Sequence, residues 1–143
     1  MFDTPVRNVM QQHKVLKAAP RSLVSDAAKL MADRNVGAVM VVEDDRLVGI
    51  FTERDVVFRV VARGLDAHAT QLADVMTCAP KTVDPDASFG FALLIMQKSG
   101  FRHMPVVQDG KPVGIVSSRS AMDPELEDFV SEARRRKHLE GKL

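Results

Sequence analysis

Residues 49–55 read Gly-Ile-Phe-Thr-Glu-Arg-Asp, and a related run, Gly-Ile-Val-Ser-Ser-Arg-Ser, occupies residues 114–120. The offset of 65 residues extends beyond these runs, because ten of the 36 positions from 20 to 55 are identical to the positions 65 further on. Chance would give roughly two to three identities for ordinary composition. Upstream, an offset of 66 aligns Val9-Met10 with Val75-Met76. The chain therefore contains an internal repeat, which decides the fold.

Each copy shows the same order of elements. A short extended segment (14–18 or 81–84) precedes a helix, and two β-branched strands around a tight turn follow. The apolar residues of the helix recur at spacings of three and four: Leu23, Ala27, Leu30 and Met31 in the first copy, and Phe91, Leu94 and Ile95 in the second. One unit of about 60 residues is too small to bury its apolar faces alone. The pattern predicts an α/β (α+β) fold in which two β-α-β-β-α repeats, residues 6–68 and 74–122, pack through their sheets with pseudo-twofold symmetry. Such an interface encloses a cleft suited to a ligand.

Two further helices are predicted. The first copy continues into a helix over Glu53–Ala62, which ends before Gly64, a residue suited to a left-handed C-cap. Residues 123–143 predict a C-terminal helix, capped by Asp123, with acidic residues in its first turn and Arg134–Lys137 near its other end. Acidic residues slightly outnumber basic ones in this segment, so nucleic-acid binding is not expected there.

Composition excludes several classes of protein. The chain has 143 residues, 45% of them hydrophobic, and 20 Lys and Arg against 19 Asp and Glu, so it carries no overall charge that would attract nucleic acid or lipid. The longest apolar stretch, Phe89–Met96, is far shorter than the roughly 20 residues of a membrane span. No signal peptide is evident, which predicts a cytoplasmic location. Cys78 is the single cysteine, and neither metal-ligand spacing nor a catalytic nucleophile motif is visible, so no metal or covalent cofactor and no enzyme activity are expected.

The repeat, the run at 49–55 and the run Arg102-His103-Met104-Pro105-Val106-Val107 together resemble a tandem pair of cystathionine β-synthase (CBS) domains, also called a Bateman module. The resemblance covers about Val6 to Met122. It implies a regulatory sensor without catalytic machinery that binds an adenosine-containing ligand such as AMP, ADP or ATP. It also implies a homodimer of flat, disc-like shape and a regulated partner protein whose identity is unknown.

The resemblance also implies roles for individual residues. Asp55 would accept hydrogen bonds from both ribose hydroxyls, Thr52 would contact the sugar or phosphate, and Ile50 would lie against the adenine. The facing copy would supply base and phosphate contacts. These residues are Thr82, Val83, Phe101, Arg102, His103, Ser117 and Arg119.

The pseudo-equivalent second site departs from the family pattern. Ser120 stands where the ribose-binding carboxylate is expected, and the facing segment offers Val36 and Gly37 without charge. Arg54 is the nearby candidate for a phosphate. One nucleotide per chain is therefore expected, with the second site empty or suited to a less charged ligand.

Structural explanations compete with these roles. Thr52 and Asp55 have the spacing of a helix capping box, which is compatible with a ligand role because the two uses engage different lone pairs. His103 alone is ordinary at the start of a strand, and Arg119 is equally suited to pairing with a surface carboxylate. Met10 and Met76 are expected to fill gaps in the core. Two alternative functions remain: a ligand-free dimerising scaffold for another protein and, more weakly, a sensor of S-adenosylmethionine or NADH.

Overall fold

The computed structural model describes residues 2–11 and 15–121, together with residues 133, 135 and 136. The predicted C-terminal helix over 123–143 falls outside the described residues except at those last three positions, which are helical. The strands are β1 (Leu16–Ala18), β2 (Ala38–Glu43), β3 (Arg46–Thr52), β4 (Thr77–Cys78), β5 (His103–Gln108) and β6 (Lys111–Ser117). The α-helices are α1 (Val24–Arg34), α2 (Glu53–Asp55), α3 (Leu72–Val75) and α4 (Phe89–Ser99). A π-helical segment, Val56–Val61, continues α2, and 3-10 turns span Val6–Asn8 and Ser118–Ala121.

The two sheets are built on the same plan. The first has the order β1-β2-β3-β4, with β1 parallel to β2 and the other pairs antiparallel. In the second, β5 and β6 form the antiparallel hairpin, Val83 makes a parallel bridge to β5, and Gln11 makes an antiparallel bridge to β6. These bridges stand where β1 and β4 stand in the first sheet. The predicted α/β fold with two repeats is therefore confirmed, whereas the extended segment predicted at 81–84 shortens to the single bridge at Val83.

The hairpins and helix ends follow the predicted turn chemistry. Positive φ angles at Asp44 and Asp45 (52° and 63°) and at Asp109 and Gly110 (55° and 79°) form the two-residue turns that join paired strands with a right-handed twist. The helix from Glu53 ends near the predicted residue, and Gly64 adopts the left-handed conformation with φ 69°.

The buried face of α4 differs from the prediction. Phe89, Ala92 and Met96 are buried, at positions matching Val24, Ala27 and Met31 of α1, while Phe91 and Leu94 are exposed. Because α4 is apolar on nearly all sides, the spacing of its apolar residues does not identify the buried face. The alignment of α4 with α1 at the offset of 65 residues does identify it.

Each hydrophobic core uses a segment from outside its own repeat. The first core includes Leu72 and Val75, which lie at the start of the second repeat. The second core includes Val6, whose N–H donates to the carbonyl of Ala87 at 2.8 Å. Segments at the start of each repeat thus complete the core of the other one, and the domain boundaries 6–68, 74–122 and 123–143 stay predictions.

The two repeats meet through β3 and β6, which contact each other. Equivalent backbone bonds mark the pseudo-twofold relation: the N–H of Glu53 donates to Gly37 O, and the N–H of Ser118 donates to Arg102 O, both at 3.0 Å. The loops before β2 and β5 are therefore fixed to the ends of β3 and β6. This arrangement brings residues 101–103 next to the start of α2.

Candidate functional site

A cleft of about 770 Å³ lies between the β3–α2 junction of the first repeat and the loop before β5 of the second. The segment between the repeats, including Thr77 and Ala79–Lys81, forms a further wall, and Ser99 and Gly100 at the end of α4 contribute to the rim. The cleft thus combines residues from both repeats, as the predicted interface site requires.

Six of the residues predicted for the first site line this cleft together. They are Ile50, Thr52, Asp55, Phe101, Arg102 and His103. Arg54, which was predicted to serve the second site, also lines it. Thr82, Val83, Ser117 and Arg119 are not among the lining residues.

The Val83 side chain is part of the second core instead. Its N–H donates to Pro105 O at 3.1 Å, and its carbonyl accepts from the N–H of Val107 at 3.0 Å. Both backbone groups are therefore used by the sheet, which leaves Val83 no free group for a ligand. Thr82 is exposed beside it.

The Thr52–Asp55 pair forms a complete capping box at the start of α2. Asp55 Oδ2 accepts hydrogen bonds from the N–H of Thr52 at 2.9 Å and from its hydroxyl at 3.2 Å, and the N–H of Asp55 donates to Thr52 Oγ1 at 3.4 Å. Asp55 is only 7% exposed. The expected capping box is thus confirmed. It uses Asp55 Oδ2, whereas Asp55 Oδ1 accepts no hydrogen bond from Thr52.

Arg59 approaches the second carboxylate oxygen. Its Nε lies 3.5 Å from Asp55 Oδ1, one helical turn away, and one of its terminal nitrogens donates to the carbonyls of Val75 and Met76 at 3.2 and 3.0 Å. The π-helical segment carries this residue, and such segments are frequent at functional sites. Arg59 therefore connects Asp55 to the segment between the repeats.

Arg54 and Phe58 form a stacked pair in the same wall. The guanidinium carbon lies 4.7 Å from the centre of the ring, within the range of a cation–π interaction. Phe58 is 58% exposed. Stacking fixes the arginine without neutralising it, so its charge stays available to an anion.

His103 is the described residue with a clearly shifted pKa. Burial in the cleft lowers the pKa of this imidazole below 6.5, the nearby Glu53 carboxylate opposes the shift, and Arg102 and Arg119 add to it. The side chain is therefore mainly neutral at pH 7. Arg119, although outside the lining, acts on the site through this electrostatic effect.

Three of the residues predicted for the second site, Val36, Gly37 and Arg54, lie beside the first core or the first site. Val36 packs against the first core, and a Cβ placed on Gly37 would lie 3.0 Å from Glu53 Oε1 and 3.4 Å from His103 Cε1. Gly37 therefore lies close to Glu53 and His103, two residues that line the first cleft. The side chain of Ser120 lies outside the described residues.

Charge in the cleft favours an anion. Four cationic side chains (Arg54, Arg59, Lys81 and Arg102) and two carboxylates (Glu53 and Asp55) line it. Among the described residues, Arg54, Lys81 and Arg102 have no acidic partner within salt-bridge distance, and Lys81 Nζ instead donates to Ser99 Oγ at 3.0 Å.

Within the described part of the chain, no group of three or more His, Cys, Asp or Glu has the arrangement of a metal site. No described helix combines the length and apolarity needed to span a bilayer.

Glu53, Phe58, Arg59 and Lys81 were missed by the sequence analysis. Arg59 carried a usable signal, because a basic residue four positions after an acidic one on a helix lies beside it. Glu53 and Phe58 follow from the helix that starts at Thr52, since one of its faces has to border the cleft. Lys81 carried no local signal.

Comparison with known proteins places this geometry in a family. A family model for the CBS domain matches residues 6–62 and 72–124. Meiotically up-regulated gene 70 protein of Schizosaccharomyces pombe is 38% identical over 125 residues, which cover 79% of this chain and 17% of that protein. The chain spans 17%, 48% and 64% of the length of three curated relatives.

Solved structures share the architecture. A conserved protein from Pyrococcus horikoshii aligns with a TM-score of 0.78 and 28% identity, over 85% of this chain and 92% of that one. The CBS domain pair of protein MJ0100, solved in complex with 5′-methylthioadenosine and S-adenosyl-L-methionine, aligns with a TM-score of 0.75 and 25% identity, over 82% and 92% of the two chains. The chain therefore belongs to the CBS domain family and carries a tandem pair of these domains.

Proposed function

We propose that this CBS pair is a non-catalytic regulatory module that binds one adenine nucleotide, AMP, ADP or ATP, in the cleft between its repeats. The ribose lies against Asp55 and the phosphates face Arg102, His103 and Arg54. Binding shifts the balance between two arrangements of the repeats, which a regulated partner or a second copy of the chain detects. The cytoplasmic location stays a prediction.

The observation that carries the proposal is the division of charge within the cleft. Asp55 keeps one carboxylate oxygen outside the capping box, and this acceptor suits a ribose hydroxyl. The surplus of two positive charges, counted with His103 neutral, suits a phosphate. The same positive surplus disfavours S-adenosylmethionine, because its sulfonium is also positive. It does not favour 5′-methylthioadenosine either, because that compound has no phosphate for the cationic side chains to bind.

Titration calorimetry with AMP, ADP and ATP tests the proposal. Asp55→Asn keeps the shape of the side chain and one acceptor for the capping box but removes the charge. We expect it to weaken nucleotide binding about 10- to 100-fold, the loss for a hydrogen bond to a charged acceptor. Asp33→Ala, which removes an exposed carboxylate of α1, is the matched control and retains wild-type affinity. Equal affinity in wild type and Asp55→Asn would reject the assigned site.

A ligand-free dimerising scaffold is the second candidate. Val57, Phe58 and Val61 expose more than half of their surfaces along one side of the helix that follows β3, and apolar surface of this kind favours contact with another chain. A homodimer is proposed in both cases. The scaffold is distinguished by a melting temperature that no adenine nucleotide, S-adenosylmethionine or NADH raises.

A further inference from the structure

Arg59, which lines the cleft, contacts Asp55 in the same lining and two backbone carbonyls of the segment that leads to Thr77. Its Nε faces Asp55 Oδ1 at 3.5 Å, and its terminal nitrogen holds the carbonyls of Val75 and Met76 at 3.2 and 3.0 Å. The guanidinium is planar and presents its donors in a fixed fork, so these contacts fix its plane as well as its position. Arg59 is therefore an oriented group whose charge is directed at one carboxylate oxygen.

The two oxygens of Asp55 consequently have different surroundings. Oδ2 is held by the N–H and hydroxyl of Thr52, and Oδ1 is turned toward Arg59. With both ends held, the carboxylate cannot rotate about its terminal bond without losing a contact. A ligand diol has to meet the lone pairs that remain, and their direction depends on Arg59.

The terminal nitrogen of Arg59 holds the segment that leads into the wall formed by Thr77 and Ala79–Lys81. Met76, whose carbonyl it holds, packs its thioether over Gly49 of β3, and Thr77 and Lys81 further along the same segment line the cleft. One side chain therefore sets both the orientation of Asp55 and its distance from that wall. Substituting it alters the geometry offered to the sugar without removing a group that touches the phosphates.

We infer that Arg59 is a positioning residue for the ribose, which directs Asp55 Oδ1 at the 2′,3′-diol of a bound nucleotide. The inference rests on the proposed function. It predicts that Arg59 determines how much the diol contributes to affinity. A residue that only stabilised the fold would weaken all adenine nucleotides equally.

The test compares AMP with 2′,3′-dideoxy-AMP by titration calorimetry. For the wild type we expect the dideoxy compound to bind about 10- to 100-fold more weakly, as a charged hydrogen bond is lost. In Arg59→Gln this ratio falls to about threefold or less. Arg59→Lys, which keeps the charge but lacks the fork, gives an intermediate ratio. Arg63→Ala, one turn further along and exposed outside the cleft lining, keeps the wild-type ratio.

Each other result has a defined meaning. An unchanged ratio in folded Arg59→Gln overturns the inference. A wild-type ratio near one overturns it as well but leaves nucleotide binding standing, whereas a wild type that binds no adenine nucleotide overturns the proposed function together with the inference. Where Arg59→Gln fails to fold, the ratio in Arg59→Lys decides: a wild-type value contradicts the positioning role and a lower value supports it.

Discussion

The pKa of His103 makes stability depend on pH in a defined direction. Burial lowers its pKa in the folded protein below the 6.5 of an unfolded chain, against the opposing effect of Glu53 and with the help of Arg102 and Arg119. Between these two pKa values the unfolded chain binds more protons than the folded one. The free energy of unfolding therefore falls as the pH drops below about 6.5, by at most ~1.4 kcal/mol per pH unit for one proton.

Urea denaturation from pH 7.5 to 5.5 measures this contribution. We expect the stability of the wild type to fall more steeply below pH 6.5 than that of His103→Gln, which has no proton to gain. His68→Gln, which changes an exposed histidine, keeps the wild-type profile. Parallel profiles for wild type and His103→Gln would contradict the assigned cause.

The sequence located six of the residues that line the cleft but not the contacts among the lining residues. Asp55, Thr52, Ile50 and residues 101–103 were brought together by the repeat and the family resemblance. The family pattern assigned Arg54 to the second site, whereas the structure places it on α2, where it lines the same cleft as Asp55.

At the scale of elements, two glycines allow the segments at the start of each repeat to pack on the strands of the hairpins. A Cβ on Gly114 of β6 would lie 2.7 Å from Met10 Sδ and 3.0 Å from the backbone oxygen of Gln11. The three atoms nearest to a Cβ on Gly49 of β3 all belong to the Met76 side chain, which is flexible. Met10 and Met76 thus fill gaps beside their sheets, as expected.

This difference predicts unequal costs for equivalent substitutions. Gly114→Ala has to displace backbone that pairs with Ile115, and we expect a loss of ~1–3 kcal/mol of stability, typical of overpacking. Gly49→Ala should cost less. Urea denaturation of the two variants decides the order, and a larger loss for Gly49→Ala would show that the methionine is less free to move than its chemistry suggests.

The elements themselves were largely predictable because turn and strand signals are local. The extended segment at 81–84 was overestimated, since a strand is defined by its partner and only Val83 reaches β5. The exposed face of α4 was misassigned for a similar reason. Phe91 and Leu94 are as apolar as the residues that the core buries, so only packing distinguishes them.

At the scale of the whole molecule, the exchange of segments makes the two repeats interdependent. Val6 is fully buried in the second core, although it stands at the start of the first repeat. We expect Val6→Ala to destabilise the protein by ~1–3 kcal/mol. Hydrogen exchange should show the first loss of protection in α4 and β5, while α1 keeps its protection longer.

Val113→Ala, which alters a more exposed valine of β6, serves as the control and changes stability by less than ~0.5 kcal/mol. Loss of protection confined to α1 and β2 in Val6→Ala would contradict the assigned packing.

The sequence alone aligned Val9-Met10 with Val75-Met76 but contained nothing to say which core each would join, because an apolar pattern specifies burial and not the partner.

The exchange also constrains how the protein folds during its synthesis. Val6 packs with Val116, about 110 residues later in the chain. At about 5–20 residues per second, a ribosome needs roughly 5 to 20 s to make the intervening chain. Until residues 85–87 are made, Val6 and Arg7 lack their backbone partners, so the apolar residues of the segment at 6–11 stay open to chaperones. The second core is completed later still, when β6 has been made.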